Sequence, residues 1–333
     1  MADFWGSGVT LIFTCGDPLS INMEAFLRVV VPSMYRHRAV IGIGNFWQLL
    51  HQAEALNLRL PQIHQLNSLQ GVDQPGVYWL DPLPEAPKID ARSLSELDRG
   101  RIAKAALEAV PKSAHDLMAV LTAPINKKSM SLAGFEYPGQ TEFFERKWSA
   151  GAVMMLAGPQ LRVALATNHL RLKDVADHIS MEMIVQKLKV TNDASMRLFG
   201  VERPKIAVCG LNPHCGDRGL FGDEETKFIE PAIEAAKSMS INVSGPYPAD
   251  TVFYRAMRGE FDVVLAMYHD QGLGPLKTVH FDEAVNISMG LPYLRVSPDH
   301  GPAADLYLTG RASVKSFDAA LKVCERWLLS HKR

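Results

Sequence analysis

The feature that most limits what this chain can fold into is an alternation of short β-branched and aliphatic runs with longer stretches of helical period. Runs at 9–14, 39–43, 76–80, 117–122, 152–157, 161–167, 205–209, 262–268 and 284–288 predict strands. Between them, 23–34, 46–57, 93–109, 181–199, 223–239 and 314–330 predict helices. Strands joined through helices run parallel and are covered on both faces, so the fold class is α/β with helices packed on a mainly parallel sheet. One pair reads differently: Gly158-Pro159-Gln160 separates two apolar runs and predicts an antiparallel hairpin, which makes the sheet mixed. Ser180 ahead of MEMIVQKLKV predicts an N-cap, since its hydroxyl accepts from a free amide of the first turn.

Composition narrows the function. At 333 residues and 47% hydrophobic, the chain has apolar material for one large core or two smaller ones, and its length favours two domains. A formal net charge of -1 gives no electrostatic excess for nucleic acid or an acidic membrane surface. The longest apolar runs, 152–157 and 261–267, are far short of the roughly 18 residues a membrane helix needs. The opening MADFWGSG lacks a basic start followed by an apolar stretch, so a cytoplasmic location is expected. Four cysteines, Cys15, Cys209, Cys215 and Cys324, make no disulfide framework in a chain this long and are expected as reduced thiols.

Chemistry enters with three repeats of one context. VALATNH ends at His169, IAVCGLNPH at His214 and VVLAMYH at His269, each histidine arriving shortly after a buried-strand pattern stops. In open α/β sheets ligands collect outside the carboxyl ends of strands, so these residues are expected to converge. Three imidazoles with open positions beside them suit a catalytic divalent ion. His37, His51, His64, His115, His178, His280 and His331 lack the context. Cys209 and Cys215 flank His214 and invite a mixed Cys/His site, but no C-x-x-C pair supports it; Cys209 lies in an apolar run and reads as core, and Cys215 is left open.

Groups suited to a phosphorylated substrate lie near the last histidine. In Gly-Pro-Tyr-Pro-Ala-Asp-Thr (245–251), Asp250 or Thr251 either caps a short helix or faces the metal. Lys277 follows His269, Asn286 lies in a strand and Arg295 comes beyond Pro292. A lysine supplies a point charge and an arginine a planar fork for phosphate or carboxylate. Ile41-Gly-Ile-Gly-Asn45 lacks the third glycine of a dinucleotide fingerprint and reads as a turn. Ser297-Pro-Asp299-His300-Gly301-Pro302 is a loop in which glycine permits close backbone approach, and it reads either as a nucleotide site at Asp299, His300 and Gly301 or as a plain turn.

Taken in order, TAPINK (122–127), GQTE (139–142), TNHLRLKDV (167–175), GLNPHCGDRGLFGDEE (210–225), GPYPADTVF (245–253), MYHDQGLGPLK (267–277) and VNISMGLPYLRVSPDHG (285–301) resemble the motifs of the 4-hydroxythreonine-4-phosphate dehydrogenase (PdxA) family. The resemblance implies an isocitrate/isopropylmalate dehydrogenase-like fold of two α/β/α domains with the active site in the cleft between them. The expected division is 1–125 plus 286–333, the nucleotide side, and 126–285, the metal-ligand and dimer-forming side. A homodimer is implied, with metal ligands drawn from both subunits. Carried over, His169, His214 and His269 are the metal ligands, and Gln140, Thr141, Lys277, Asn286 and Arg295 are substrate-binding. Lys277 and Asp250 are the catalytic candidates. The implied reaction is NAD- or NADP-dependent oxidation of 4-phosphohydroxy-L-threonine, assisted by zinc, magnesium, manganese or cobalt, followed by decarboxylation on the route to pyridoxal phosphate. The alternatives are another phosphorylated hydroxy acid, of the threonate or erythronate 4-phosphate type, and a non-catalytic paralogue that binds metal and metabolite.

Three departures from the family pattern matter. Where the family has GDPxGIGPE, this chain has Gly16-Asp-Pro-Leu-Ser20-Ile-Asn22-Met23-Glu24, so side chains are expected to project where bare backbone would lie. Gln140 stands where the family has histidine; it can donate a hydrogen bond but does not titrate near neutral pH. The family's TAxDIAGKGIA is replaced by Pro302-Ala-Ala-Asp-Leu-Tyr307-Leu308-Thr-Gly310-Arg-Ala, in a segment that helps bind the dinucleotide in relatives of this fold.

Overall fold

The computed structural model describes residues 10–34, 38–69, 72, 74–110, 118–148 and 150–330; His37, His115, His331 and the opening MADFWGSG lie outside them. The chain forms two compact units, Met1–Ala150 with Leu291–Arg333, and Gly151–Gly290. The divisions therefore fall at 150/151 and 290/291 rather than at the expected 125/126 and 285/286. The first shift has a packing cause. The segment after residue 125 carries two helices that dock on the first unit, where Lys104 donates to the Ala133 carbonyl at 3.1 Å and Arg295 to Thr141 Oγ1 at 3.2 Å.

In the first unit the elements run β1 (Thr10–Thr14), α1 (Asn22–Ala25), a π-helical segment Phe26–Val30, α2 (Val31–Met34), β2 (Ala39–Ile43), α3 (Phe46–Ala55), β3 (Ile63–Leu66), β4 (Gly76–Leu80), α4 (Glu96–Glu108), β5 (Met118–Thr122), α5 (Lys127–Leu132) and α6 (Gln140–Trp148). Its strand order is β3-β4-β2-β1-β5 followed by a late strand at Leu294–Pro298, every neighbour parallel. Thr10–Thr14 lies between Ala39–Ile43 and Met118–Thr122, so the first strand is sealed on both edges. Phe13, fully buried, packs its ring 4.9 Å from Phe26 and 6.3 Å from Phe317. The Ile41–Asn45 segment is not a plain turn. Its first residues are strand, and a Cβ on Gly42 would sit 2.3 Å from the Trp79 ring, so glycine there makes room for an indole. Asn45 caps α3 by accepting from the Gln48 amide at 3.1 Å.

The second unit contains β6 (Val153–Ala157), β7 (Arg162–Leu165), α7 (Met181–Phe199), β8 (Ile206–Cys209), α8 (Glu230–Ser238), β9 (Val243–Tyr247), α9 (Ala249–Met257), β10 (Val263–Ala266), α10 (His269–His280) and β11 (Val285–Met289). The late elements β12 (Leu294–Pro298) and α11 (Lys315–Ser330) belong to the first unit. Strand order in the second unit is β11-β6-β7-β10-β8-β9. The predicted hairpin is present: β6 and β7 pair antiparallel, closed by the Gly158 amide on the Leu161 carbonyl at 2.9 Å. β7, β10, β8 and β9 are parallel, and β11 pairs antiparallel with β6. Ser180 caps α7 through the Met183 amide, and Gly200 ends that helix in a left-handed conformation, φ 66°.

Several elements escape the hydrophobic pattern. β9 reads VSGPY and β12 reads LRVSP, with polar or breaker residues inside, and α10 contains Gly272, Gly274 and Pro275. For α10 the reason is close packing: a Cβ on Gly272 would lie 2.5 Å from Val163 and 2.9 Å from Ala266. Among the described residues no helix is long and apolar enough to cross a membrane.

The α4–α5 contact supplies a test. A Cβ on Gly100 would lie 1.9 Å from the Ser129 carbonyl oxygen, which is backbone and cannot rotate away. Gly100→Ala is expected to destabilise the chain by about 3 kcal/mol despite alanine's better helix propensity. An unchanged urea midpoint would refute this packing.

Candidate active site

The three histidines follow β7, β10 and β8, which are consecutive neighbours in the sheet and all parallel. Their carboxyl ends therefore lie on one edge, where open α/β folds place ligands. The register continues past the ladder, with the Ala166 amide on the Ala266 carbonyl at 2.8 Å. Thr167 then donates both its amide, at 3.2 Å, and its hydroxyl, at 2.7 Å, to the Met267 carbonyl. This double bond-pair ties the chain approaching His169 to the chain approaching His269. The two imidazole rings lie 5.5 Å apart, tilted by 40°. His269 Nδ1 sits 2.7 Å from Asp270 Oδ1, so the carboxylate orients the ring.

His214 is held differently. It opens a run of five left-handed residues, His214, Cys215, Gly216, Asp217 and Arg218, with φ between 42° and 77°. Each non-glycine residue in that region costs roughly 1–2 kcal/mol, so the turn needs bracing. Glu225 supplies it: the carboxylate, 1% exposed, accepts from the Leu211 and Asn212 amides at 2.8 Å each and from Asn212 Nδ2 at 3.0 Å. Gly216 packs so close that a Cβ there would stand 2.9 Å from Glu225 Oε2. Cys215 turns toward Gly210, and burial, then the Glu225 charge, pushes its thiol up to about 11. Cys209 is fully buried in the core. Among the described residues no three His, Cys, Asp or Glu side chains of this one chain are grouped to hold a metal ion. The chain brings His169 and His269 together and leaves His214 out of that pair.

Asp250 is exposed in the first turn of α9. Neither it nor Thr251 caps that helix: Pro248 occupies the cap position, and the Thr251 hydroxyl donates to its carbonyl at 3.2 Å. Lys277 lies on α10, the helix that His269 opens, and Asn286 lies half-buried in β11 with its Oδ1 buried and unpaired.

In the first unit, β1 has β2 on one side and β5 on the other, which makes the β1/β5 edge the point where strand order reverses. Arg295 reaches it from β12. The guanidinium is not a solvated fork: the residue is 3% exposed, with Nε donating to Thr122 Oγ1 at 2.9 Å and Nη1 to Thr141 Oγ1 at 3.2 Å. Burial lowers its pKa to about 10, against the nearby Glu142 charge, so it stays protonated at neutral pH. Gln140 donates Nε2 to the Ala123 carbonyl at 3.1 Å, while its Oε1 is buried without a partner. The residue at the family's histidine position thus offers an acceptor.

The altered 16–24 loop does not project side chains. Ser20, Asn22 and Met23 are all buried, and Asn22 Nδ2 donates to the Cys15 carbonyl at 2.9 Å and the Pro124 carbonyl at 3.0 Å. The altered 302–312 segment meets it. Tyr307 is buried in a cluster with Ala86, Ala91, Leu94 and Ile102, against which both Leu19 and Leu308 pack. The Ile21 amide donates to the Pro302 carbonyl at 3.2 Å. Leu308 adopts φ 58°, a left-handed conformation that favours glycine, at a position where the family pattern has glycine. Of the nucleotide candidates, His300 sets its ring 5.6 Å from Phe317, and its Nδ1 lies 2.7 Å from the Gly301 carbonyl; Asp299 is half-buried and Gly301 exposed. Thr167 and Glu225 are the functional supports that the sequence reading missed. Glu225 sits in the acidic run DEE, which resembles a solvated face, and nothing local distinguishes it.

Strand-end imidazoles in one α/β unit, and a buried arginine with hydroxyl partners at a strand-order reversal in the other, define an enzyme for a small anionic substrate. From 40 to 324 the sequence matches the family described as pyridoxal phosphate biosynthetic protein PdxA, and the chain belongs to that family. With that membership it is a dehydrogenase. It is 39% identical over 314 residues to 4-hydroxythreonine-4-phosphate dehydrogenase of Desulfosudis oleivorans, covering 92% of this chain and 93% of that protein. It is 34% identical to D-threonate 4-phosphate dehydrogenase of Salmonella typhimurium, covering 94% and 97%. The crystal structure of the Klebsiella pneumoniae 4-hydroxythreonine-4-phosphate dehydrogenase superposes with a TM-score of 0.79 at 30% identity, covering 96% of this chain and all of that one.

Asn22 carries a test of the altered loop. Asn22→Ala leaves the Cys15 and Pro124 carbonyls without their side-chain donor and is expected to destabilise the chain by about 2 kcal/mol, read as a lower urea midpoint. A variant as stable as the parent would mean those bonds hold nothing.

Proposed function

We propose that this chain oxidises the secondary alcohol of 4-phosphohydroxy-L-threonine with NAD or NADP and releases carbon dioxide from the β-keto acid formed, yielding 3-amino-2-oxopropyl phosphate for pyridoxal phosphate synthesis. The observation that carries the reading is the set of histidines after three consecutive parallel strands in a PdxA family member. Both named relatives span more than nine-tenths of the chain, and the one that bears the 4-hydroxythreonine-4-phosphate name is the more similar, at 39% identity against 34% for the D-threonate 4-phosphate enzyme, which favours this substrate over threonate or erythronate 4-phosphate; that both are dehydrogenases favours catalysis over a non-catalytic role.

His169, His214 and His269 are the proposed metal ligands. Imidazole donors suit zinc, manganese or cobalt, and rings 5.5 Å apart suit two ligands of one ion. With His214 outside that pair, the set is completed by a second copy of the chain. Leu172 beside His169 and Leu220 beyond His214 are 72% and 71% exposed, as expected of surfaces that a homodimer covers. The chemistry that a divalent ion and nicotinamide supply when bound is Lewis acidity toward the substrate oxygen and acceptance of hydride.

The remaining roles belong to the chain's own side chains. Lys277 neutralises the substrate phosphate or carboxylate, or relays a proton. Asp250 is the exposed carboxylate available to take a proton. Arg295 binds through Thr141 as much as directly, because its hydrogen bonds to Thr122 and Thr141 hold the start of α6 and with it Gln140. Asp299, His300 and Gly301 are assigned to the nucleotide.

Reduction of NAD or NADP should appear with 4-phosphohydroxy-L-threonine and added zinc, manganese, cobalt or magnesium, and not with threonate 4-phosphate at comparable kcat/KM. Absence of turnover with every metal would sink the dehydrogenase reading. In the same protein, His214→Ala should lower metal affinity by roughly 100-fold or more. Unchanged metal content would remove the ligand assignment. Arg295→Ala is expected to raise KM for the substrate roughly 10–100-fold while leaving NAD affinity intact, and equal losses would count against its role.

A further inference from the structure

The ladder between β10 and β8 is short, with Val263–Leu265 opposite Ile206–Val208. Beyond it the two chains part. Met267 leads into α10 and His269, while Gly210 leads into the left-handed turn of His214. Backbone pairing therefore stops before either histidine is reached, and something else must set the spacing between the two ends.

One side chain spans the gap. Gln271 accepts from the Met267 amide through Oε1 at 2.7 Å and donates Nε2 to the Gly210 carbonyl at 2.8 Å. Both ends of the amide are used. Gly210 is held from its other side by its own amide on the Tyr247 carbonyl at 2.9 Å, and the next two amides, of Leu211 and Asn212, are gripped by Glu225. A continuous hydrogen-bonded path thus runs from the residue before Tyr268 and His269 to the turn that presents His214. Gln271 itself rides on α10, whose position on the sheet is fixed by the absent side chain of Gly272 against Val163 and Ala266.

We propose that Gln271 is a positioning residue that sets the His214 turn relative to the His269 helix, and so fixes how each histidine is offered to a divalent ion; this rests on the metal reading above. The job needs a donor and an acceptor at the two ends of one side chain of this length. Methionine matches the volume and supplies neither, and asparagine supplies both but is one methylene too short to span the gap. Outer-shell partners of metal ligands commonly govern 10–100-fold in affinity, and sub-ångström placement governs rate.

The test uses the full-length protein and cobalt, whose affinity is read by chelator competition and whose geometry is read from its visible absorption. Gln271→Met is expected to weaken cobalt binding 10–100-fold and to alter the absorption band, with kcat falling more than KM for the nucleotide changes. Gln271→Asn, the milder variant, should move both readouts the same way and decides the matter if the methionine variant does not fold. Ser195→Ala is the control, because it removes a buried hydrogen bond to the Thr191 carbonyl within α7 and should lower thermal stability with cobalt affinity and spectrum unchanged. Gln271 variants that behave like this control, losing stability alone, would overturn the proposal. A wild-type protein that takes up no cobalt fails at the metal reading, and takes this proposal with it.

Discussion

A parallel β-ladder satisfies backbone groups only while the strands run side by side, and both units of this protein put their chemistry where that stops. The unpaired groups at such an edge are costly if buried and must find side chains. Here amides and hydroxyls take them. Asn22 serves the Cys15 and Pro124 carbonyls, Gln140 the Ala123 carbonyl, Thr167 the Met267 carbonyl, and Gln271 the Met267 amide with the Gly210 carbonyl. Gln140 is itself a candidate substrate contact, Thr167 and Gln271 lie two residues from candidate ligands, and Asn22 binds Pro124, next to the Ala123 carbonyl that Gln140 takes. In each unit the polar groups that finish the strand ends thus lie beside that unit's candidate residues.

This gives the departures from the family pattern a physical content. Two of them, Asn22 in place of glycine and Gln140 in place of histidine, put carboxamides on strand-end carbonyls in the first unit. Leu19 from the altered 16–24 loop and Tyr307 and Leu308 from the altered 302–312 segment share one apolar cluster, and the Ile21 amide bonds the Pro302 carbonyl. The two altered segments therefore pack on each other. Leu308 holds a left-handed φ of 58° at a cost of roughly 1–2 kcal/mol, which burial of Tyr307 and its neighbours offsets. The pairing is incomplete, since among the described residues Asn22 Oδ1, Gln140 Oε1 and the Tyr307 hydroxyl are buried without a hydrogen-bond partner.

How far the sequence discloses this depends on the kind of signal. Strands such as 39–43 and the three that precede the histidines are legible because they are buried on both faces and so read as unbroken apolar runs. β9 and β12 are not legible, because VSGPY and LRVSP spend their residues on a bend and on Arg295 rather than on the core. α10 is hidden for a related reason: its Gly272 is a packing device, and glycine with proline inside a helix imitates a loop. In the site, histidines announce themselves by type and context. Thr167, Gln271 and Glu225 act through backbone groups far away in sequence, Glu225 on amides 14 and 13 positions earlier, so no local pattern marks them. Arg295 is legible as a charge, but its burial against Thr122 and Thr141 is set by contacts 173 and 154 residues distant.

The sheet also sets where the three histidines start. Neighbouring strands are about 4.8 Å apart, so side chains from β7 and β10 can meet, whereas β7 and β8 stand about twice that distance apart with β10 between them. His169 and His269 follow neighbouring strands and bring their rings to 5.5 Å, whereas His214 comes five residues after β8 in the left-handed turn, and among the described residues no three-ligand group forms. On the proposed reading, that turn makes His214 a donor for a site completed by a second copy of the chain, and its strain, braced by Glu225, is the local cost of presenting a ligand outward.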